Sequence, residues 1–268
     1  MKTENLIFRK TNTEKGRHIS VTPENSSMEH LEYGRIILDS STPSASLETG
    51  SRETGLVCLS GAGTVTVGDQ KIELGRYDAV YVPRGSTVTV TTDSAVDLAE
   101  FSAPVDGDYP LQIVRYADVE KNPALKFTAG GPGSKRDLNI LIGKNVQAGR
   151  IVAGVTTSEP GNWTSWPPHE HGAMLEEIYV YYNMPAPSFG VQFVYTNTDE
   201  PDFIELVRDG DAVLMPEGYH PNVSVPGHTI SFLWIMAARR EIDDRQFGVV
   251  NVQPGFDGTG SGLEASHK

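Results

Sequence analysis

Residues 166–182 read WPPHEHGAMLEEIYVYY. His169 and His171 are two apart, so on an extended backbone both imidazoles leave the same face, as gripping one ion between two rings requires. Glu176 and Glu177 open an apolar and aromatic run, and either carboxylate could reach the same ion from the next strand. His220 follows much later, in EGYHP, behind a Gly-Asp turn and a proline. Three neutral imidazoles and one carboxylate suit a borderline divalent ion: zinc, manganese, iron, nickel or cobalt. An HxH pair alone is a weak signal, and two glutamates at the head of a strand are more often a solvated edge. The joint pattern of HxH, Glu, aromatic strand and later His points to metal.

Such a site needs a frame. Residues 78–85 read DAVYVPRG and residues 211–218 read DAVLMPEG, with Asp211 lying 133 positions after Asp78, about half of the 268-residue chain. A period that long indicates two copies of one fold, since solenoid repeats are far shorter. Residues 55–67 break at Gly61-Ala-Gly63 into two expected strands, and 87–96 alternate as one. Residues 150–157, 177–182, 191–196 and 229–237 read as further strands, bounded by Pro, Gly, Asn or Asp. Helical periodicity is scarce, with one or two turns expected over 119–125. The first copy lacks an HxH; its histidines, His18 and His30, sit on segments without clear periodicity, and RGST stands where the second copy has EGYH. One copy retains a polar site and the other has lost it.

Many short strands with 27 Gly and 17 Pro indicate an all-β fold of sandwich or barrel type. A turn-rich linker is expected between 104 and 136, and a flexible tail over 255–268 (GFDGTGSGLEASHK). A formal charge of -13 argues against a nucleic-acid partner and against anionic membrane surfaces. Cys58 is the only cysteine, so no internal disulfide forms, and the N-terminal residues lack a signal-peptide core. No apolar run approaches the roughly 20 residues that span a bilayer. The expectation is a cytoplasmic protein with no membrane association.

The HxH-Glu pattern, and the stretch Gly210-Asp211-Ala-Val-Leu-Met-Pro216-Glu-Gly218-Tyr-His220, resemble the two motifs of the cupin superfamily. Within it, GNWTSWPPHEH (161–171), LEEIYVYY (175–182), FGVQFVYT (189–196), EGYHPNVSVPGH (217–228) and SLETGSRETGLVCLSGAGTVTV (46–67) resemble the 5-deoxy-glucuronate isomerases of myo-inositol catabolism. The similarity runs from about residue 30 to 240. It implies a bicupin, two tandem antiparallel jelly-roll barrels, over 1–120 and 121–254, the N-terminal one lacking the metal site. The related 5-keto-4-deoxyuronate isomerases of pectin breakdown share a Glu-apolar-Tyr-apolar-aromatic-aromatic-Asn-Met run, matched here from Glu177 to Met184. Aligning on it implies His169, His171, Glu177 and His220 as metal ligands, with Glu176 as the runner-up.

The activity implied is a metal-dependent aldose-ketose isomerisation of 5-deoxy-glucuronate to 5-dehydro-2-deoxy-gluconate. The alternatives are the pectin-derived uronate isomerase and a sugar-acid-binding cupin without turnover. No Rossmann or P-loop motif offers an organic cofactor site. If Glu177 faces inward, alternation turns Tyr179 inward too, and Gln192 on a neighbouring strand could bond a substrate hydroxyl; these two are the expected catalytic side chains. Arg150, heading the strand RIVAGV, is the expected partner of the substrate carboxylate, ahead of Arg208. Phe193 stands where the inositol-pathway enzymes tend to carry Arg. The expected partners are thus a small sugar acid and, through exposed sheet edges, further copies of the chain in a homo-oligomer.

Overall fold

The computed structural model describes residues 5–256. Its first half holds β1 (Ile7–Phe8), β2 (Gly16–Val21), β3 (Glu32–Asp39), β4 (Ser44–Glu48), β5 (Arg52–Gly61), β6 (Gly63–Val67) and β7 (Gln70–Leu74). There follow β8 (Ala79–Val82), β9 (Thr87–Thr91), β10 (Ala95–Pro104), β11 (Gln112–Val114) and the short helix α1 (Tyr116–Val119), the only helix among the described residues. The second half opens with β12 (Lys126–Ala129), β13 (Arg136–Ile142), β14 (Ile151–Ser158), β15 (Trp163–Thr164), β16 (His169–Glu170) and β17 (Leu175–Tyr181). It ends with β18 (Gly190–Val194), β19 (Phe203–Val207), β20 (Ala212–Met215), β21 (Asn222–Ser224), β22 (Ser231–Ala238) and β23 (Asn251–Val252).

The strands form an all-β architecture of open, antiparallel sheets, none closed on itself. The two halves repeat one order. In the first, β8-β5-β10-β3-β2 form a large sheet and β4-β9-β6-β7 a small one; in the second, β20-β17-β22-β14-β13 and β15-β21-β18-β19 correspond strand for strand. Between the sheets of the first half lies an aliphatic core that includes Leu56, Val65, Ile72, Val80, Val88 and Leu98. The outer faces of the two large sheets pack on each other, so Val57, Ala99 and Phe101 of the first half join the same core as Ile178, Val180 and Leu233 of the second. Burial on both faces explains why β17 and β22 read as continuous apolar or aromatic runs without simple alternation.

Two reciprocal devices tie the halves. The segment ahead of each half donates an edge strand to the other: Ile7 and Phe8 pair with Val213 and Ala212, whereas Gln112–Val114 pairs with Tyr81–Ala79. The expected boundary at 120/121 grouped residues 7–8 with the first half; their ladder lies in the second half's sheet. Buried glutamates strap the same junction. Glu176 accepts the backbone N–H groups of Glu29, His30 and Leu31 at 2.7–2.8 Å. Glu53 accepts those of Gly149, Arg150 and Ile151 at 2.6–2.8 Å, plus the Tyr81 hydroxyl at 2.7 Å.

Several local expectations change. The stretch 87–96 is two strands, because the turn residues Asp93-Ser94 interrupt it between β9 and β10. The expected linker carries β11, α1 and β12. The helical turn falls at 116–119, short of the expected span. Of the expected tail, residues 257–268 lie outside the described residues, while Phe256 packs edge-on to Trp166 at 5.3 Å between centroids. Among the described residues no helix is long and apolar enough to cross a membrane.

Candidate metal centre and its cavity

The inner face of the second half's large sheet lines a cavity of about 490 Å³, counted out to its mouth. Strand alternation selects the lining. Glu177 and Tyr179 of β17 pair with Met236 and Trp234 of β22, and Phe232 continues through Thr156 of β14 to Leu138 of β13. Gly154 makes this face possible: a Cβ there would sit 2.2 Å from the Trp234 ring and 2.3 Å from the Asn139 carbonyl oxygen. A flap from the C-terminal segment, with Phe247 stacked on Trp234 at 4.9 Å, covers one side.

The histidines arrive from two loops. Between β15 and β17 run ten residues, 165–174, and within them β16 is held by pairing His169 with Val252 and Glu170 with Asn251 of β23. His220 follows Gly218, whose φ of +95° favours glycine and whose carbonyl turns back onto the His220 ring. The three rings converge, with centroids 5.0–5.6 Å apart and one nitrogen from each within 4.8 Å of the others. His171 Nε2 and His220 Nε2 each lie 3.0 Å from Glu177 Oε2.

Proton placement favours an ion. His169 Nδ1 is 2.9 Å from the Pro167 carbonyl and His220 Nδ1 is 2.8 Å from the Gly218 carbonyl. Carbonyls only accept, so both Nδ1 atoms carry hydrogen, and in the neutral ring each Nε2 then presents a bare lone pair, the usual arrangement behind ligating imidazoles. His220 Nε2 is buried and, despite its proximity to Glu177, has no hydrogen bond of proper geometry; His171 Nδ1 is also buried without one. Burial, and then the rings of His220 and His171, push His169 down to about 3, which keeps it neutral. Burial alone would raise the Glu177 carboxyl, but the contacts with His171 and His220 outweigh it and hold the group at about 2. For His220 burial opposes charging, yet Glu177 wins and the ring's pKa rises. The donor set therefore fits a divalent cation.

The other expected residues divide. Tyr179 lines the cavity, its hydroxyl 2.6 Å from Ser165 Oγ. Burial, then the charge of Glu177, raises its pKa well above the ordinary value, so the phenol stays protonated. Glu176, the runner-up ligand, points to the opposite face and is spent on the strap between the halves. Gln192 is fully buried behind the site and does not line the cavity. Its amide donates to the carbonyls of His220 (2.9 Å) and Phe193 (2.8 Å), and its oxygen accepts from Tyr181 and from Asn222. Expected as a catalytic side chain, Gln192 instead braces His220. Arg150 also misses the cavity: its guanidinium donates to the carbonyls of Pro104, Ala238 and Arg239 at 2.5–2.8 Å. Phe193 stacks on Trp163, outside the cavity, so its departure from the family pattern does not touch the lining. Sequence reasoning does not reach Ser165, Thr156 and Arg136 in the lining; alternation along the strand at 150–157 points to Thr156, but Arg136 stands at the end of the expected linker.

The model of the KduI/IolB family matches residues 6–249. A 5-deoxy-glucuronate isomerase of Geobacillus kaustophilus is 32% identical over 241 residues, covering 84% of this chain and 85% of its own. One from Lacticaseibacillus casei is 29% identical over 254 residues, covering 87% and 92%. Among solved structures, an IolB-like protein from Salmonella typhimurium superimposes with a TM-score of 0.82 at 23% identity, covering 94% of this chain and 98% of that one. Bacillus subtilis oxalate decarboxylase shares the fold at a TM-score of 0.62 and 14% identity, over 88% and 79%.

Proposed function

Because the chain belongs to the KduI/IolB family, we propose that it is the isomerase that converts 5-deoxy-glucuronate to 5-dehydro-2-deoxy-gluconate in myo-inositol catabolism. The observation that carries this reading at the level of chemistry is the convergence of His169, His171, His220 and Glu177 beside a protonated Tyr179 in one partly enclosed cavity. In the same reading the two halves are two cupin-type jelly rolls, the first without a metal site, and the protein works in the cytoplasm as a homo-oligomer.

His169, His171 and His220 would hold a divalent ion through nitrogen and Glu177 through oxygen. Bound there, such an ion supplies Lewis acidity to a substrate carbonyl and its neighbouring hydroxyl. The chain's own groups do the rest. Aldose-ketose conversion breaks the C2–H bond, forms a C1–H bond, and moves the hydroxyl proton from O2 to O1. Tyr179, kept neutral, donates a hydrogen bond where negative charge grows on a substrate oxygen, and Ser165 fixes the phenol's direction. Apolar walls from Phe232, Trp234 and Phe247 limit water around the reacting carbons.

The test is direct. The metal-loaded protein is incubated with 5-deoxy-glucuronate and, separately, with 5-keto-4-deoxyuronate, and products are followed by NMR. Ketose formed from the first substrate alone is the expected result; turnover of only the second, or of neither, defeats the assignment.

A further inference from the structure

We infer that Thr156 is a specificity-determining residue, whose hydroxyl bonds a substrate hydroxyl outside the reacting C1–C2 pair. This deepens the proposed function and rests on it for the identity of the substrate. Beyond the candidate metal ligands and the Trp234 indole, the polar side chains of the lining are Arg136, Thr156, Ser165 and Tyr179. Arg136 is engaged by the carbonyls of Ser134 and Trp166, and Ser165 and Tyr179 hold each other at 2.6 Å. Thr156 differs. It is buried, and its Oγ1 accepts the indole N–H of Trp234 at 3.2 Å. An indole nitrogen only donates, so the hydroxyl's own hydrogen is left over, with no acceptor among the described residues. Buried polar hydrogens are nearly always bonded, and this one is available to a group inside the cavity.

Packing holds the pair in place. Trp234 stacks on Phe247, with centroids 4.9 Å apart and 13° between the planes, which fixes the plane of the indole. The ring crosses over Gly154, where a Cβ would meet it at 2.2 Å, and so reaches Thr156 two positions along the same face of β14. The sheet order β17-β22-β14 puts one strand between Tyr179 and Thr156, about 10 Å from backbone to backbone. A sugar chain lying across β22 meets the two groups at different carbons. With C5 deoxygenated, the hydroxyls left for Thr156 are those on C3 and C4. The closed half has no equivalent: two positions after Gly34 on β3, the strand that corresponds to β14, stands Ile36, buried in the aliphatic core. A hydroxyl at this place therefore accompanies the cavity. A site that hydrogen-bonds a substrate hydroxyl rejects the analogue lacking it, because its own buried polar group is then left unpaired.

Thr156→Val, which keeps the shape of the side chain without its hydroxyl, and Thr156→Ser, which keeps the hydroxyl, test the inference in the full-length, metal-loaded protein. Each protein is given 5-deoxy-glucuronate and the two analogues that lack the C3 or the C4 hydroxyl, and kcat/KM and calorimetric binding are measured for all three. Wild type should disfavour one analogue by about 30-fold, the size of one buried polar group left unpaired. Thr156→Val should lose a similar factor on the parent acid while that analogue stays within about threefold of its wild-type value, so the discrimination disappears. Thr156→Ser should preserve it. A variant that only loosened the wall would lower all three ligands together and leave the discrimination standing. Metal content equal to wild type certifies that the variants are folded at the site. A Thr156→Val protein that still prefers the parent over the analogues as wild type does overturns the inference, as does a wild type indifferent to both hydroxyls; if Thr156→Val does not fold, undiminished discrimination in Thr156→Ala overturns it. Should wild type bind the acid but turn nothing over, the isomerase assignment falls, while discrimination in binding that vanishes in Thr156→Val still upholds the role of Thr156.

Discussion

The two halves share a strand order and differ in what fills them. Register gives the counterparts: Thr54 faces Val82 as Glu177 faces Met215, and Leu56 faces Val80 as Tyr179 faces Val213. The 133-residue offset that relates Asp78 to Asp211 also sets Thr87 against His220. Where the second half runs ten residues between β15 and β17, the first runs three, 49–51, between β4 and β5, and has no room for an HxH loop. Its interior closes instead with Leu56, Cys58, Val80 and Leu98 in van der Waals packing. Cys58 is inert there, its thiol pushed up to about 12 by burial. Three changed positions, Thr54 to Glu177, Leu56 to Tyr179 and Thr87 to His220, and one longer loop help to set a candidate reaction vessel apart from a packed core on the same scaffold. The scaffold itself persists: both halves keep a strap glutamate, Glu53 or Glu176, and a crowded glycine, Gly34 or Gly154.

The sharpest break between the halves is chemical. Replacing His169, His171 or His220 with Ala should take bound metal from about one equivalent to near none by elemental analysis, whereas Thr87→Ala should leave it unchanged. Retained metal in all three histidine variants would remove the distinction. Next in size are the straps, where the halves should behave alike. Glu53→Ala and Glu176→Ala each strand three backbone N–H groups, and at about 1–3 kcal/mol per unsatisfied buried donor each should cost about 3 kcal/mol or more, read as a lower urea midpoint. A large loss in one and none in the other would show that the junction is not reciprocal.

Gln192→Leu should weaken metal binding by about 10–100-fold, the usual effect of losing a group that orients a ligand, with the ligands themselves intact. Unaltered affinity by competition with a chelator would reduce Gln192 to a packing role. The smallest effects concern the glycines. Gly34→Ala and Gly154→Ala should each cost about 1–3 kcal/mol by overpacking, because an added Cβ meets a neighbouring carbonyl oxygen 2.3 Å away in both. Only Gly154→Ala also displaces Trp234, so only it should alter tryptophan fluorescence.

Much of this was legible in the residues. Period-two alternation, dense Gly and Pro, and the repeated DAVxxPxG segment specify short strands in two related halves, because side chains on a strand must alternate between two environments. The HxH spacing and the later His named three of the four groups that converge. What periodicity could not decide was which face of a strand buried on both sides looks inward. Glu176 and Glu177 are adjacent and equally buried, and only the stacking of the two large sheets sends one to a strap and the other to the cavity. The same limit keeps from view that Arg150 donates to the carbonyls of Pro104 and Ala238 and Gln192 to that of His220, all remote in sequence. It also hid Arg136, which enters the cavity through the path of the loop above it. Sequence determined the strands and the ligand types, since those follow from local spacing. Tertiary structure decided direction and neighbourhood, since a side chain's partner across a sheet or a junction depends on register and layer packing, which no local window contains.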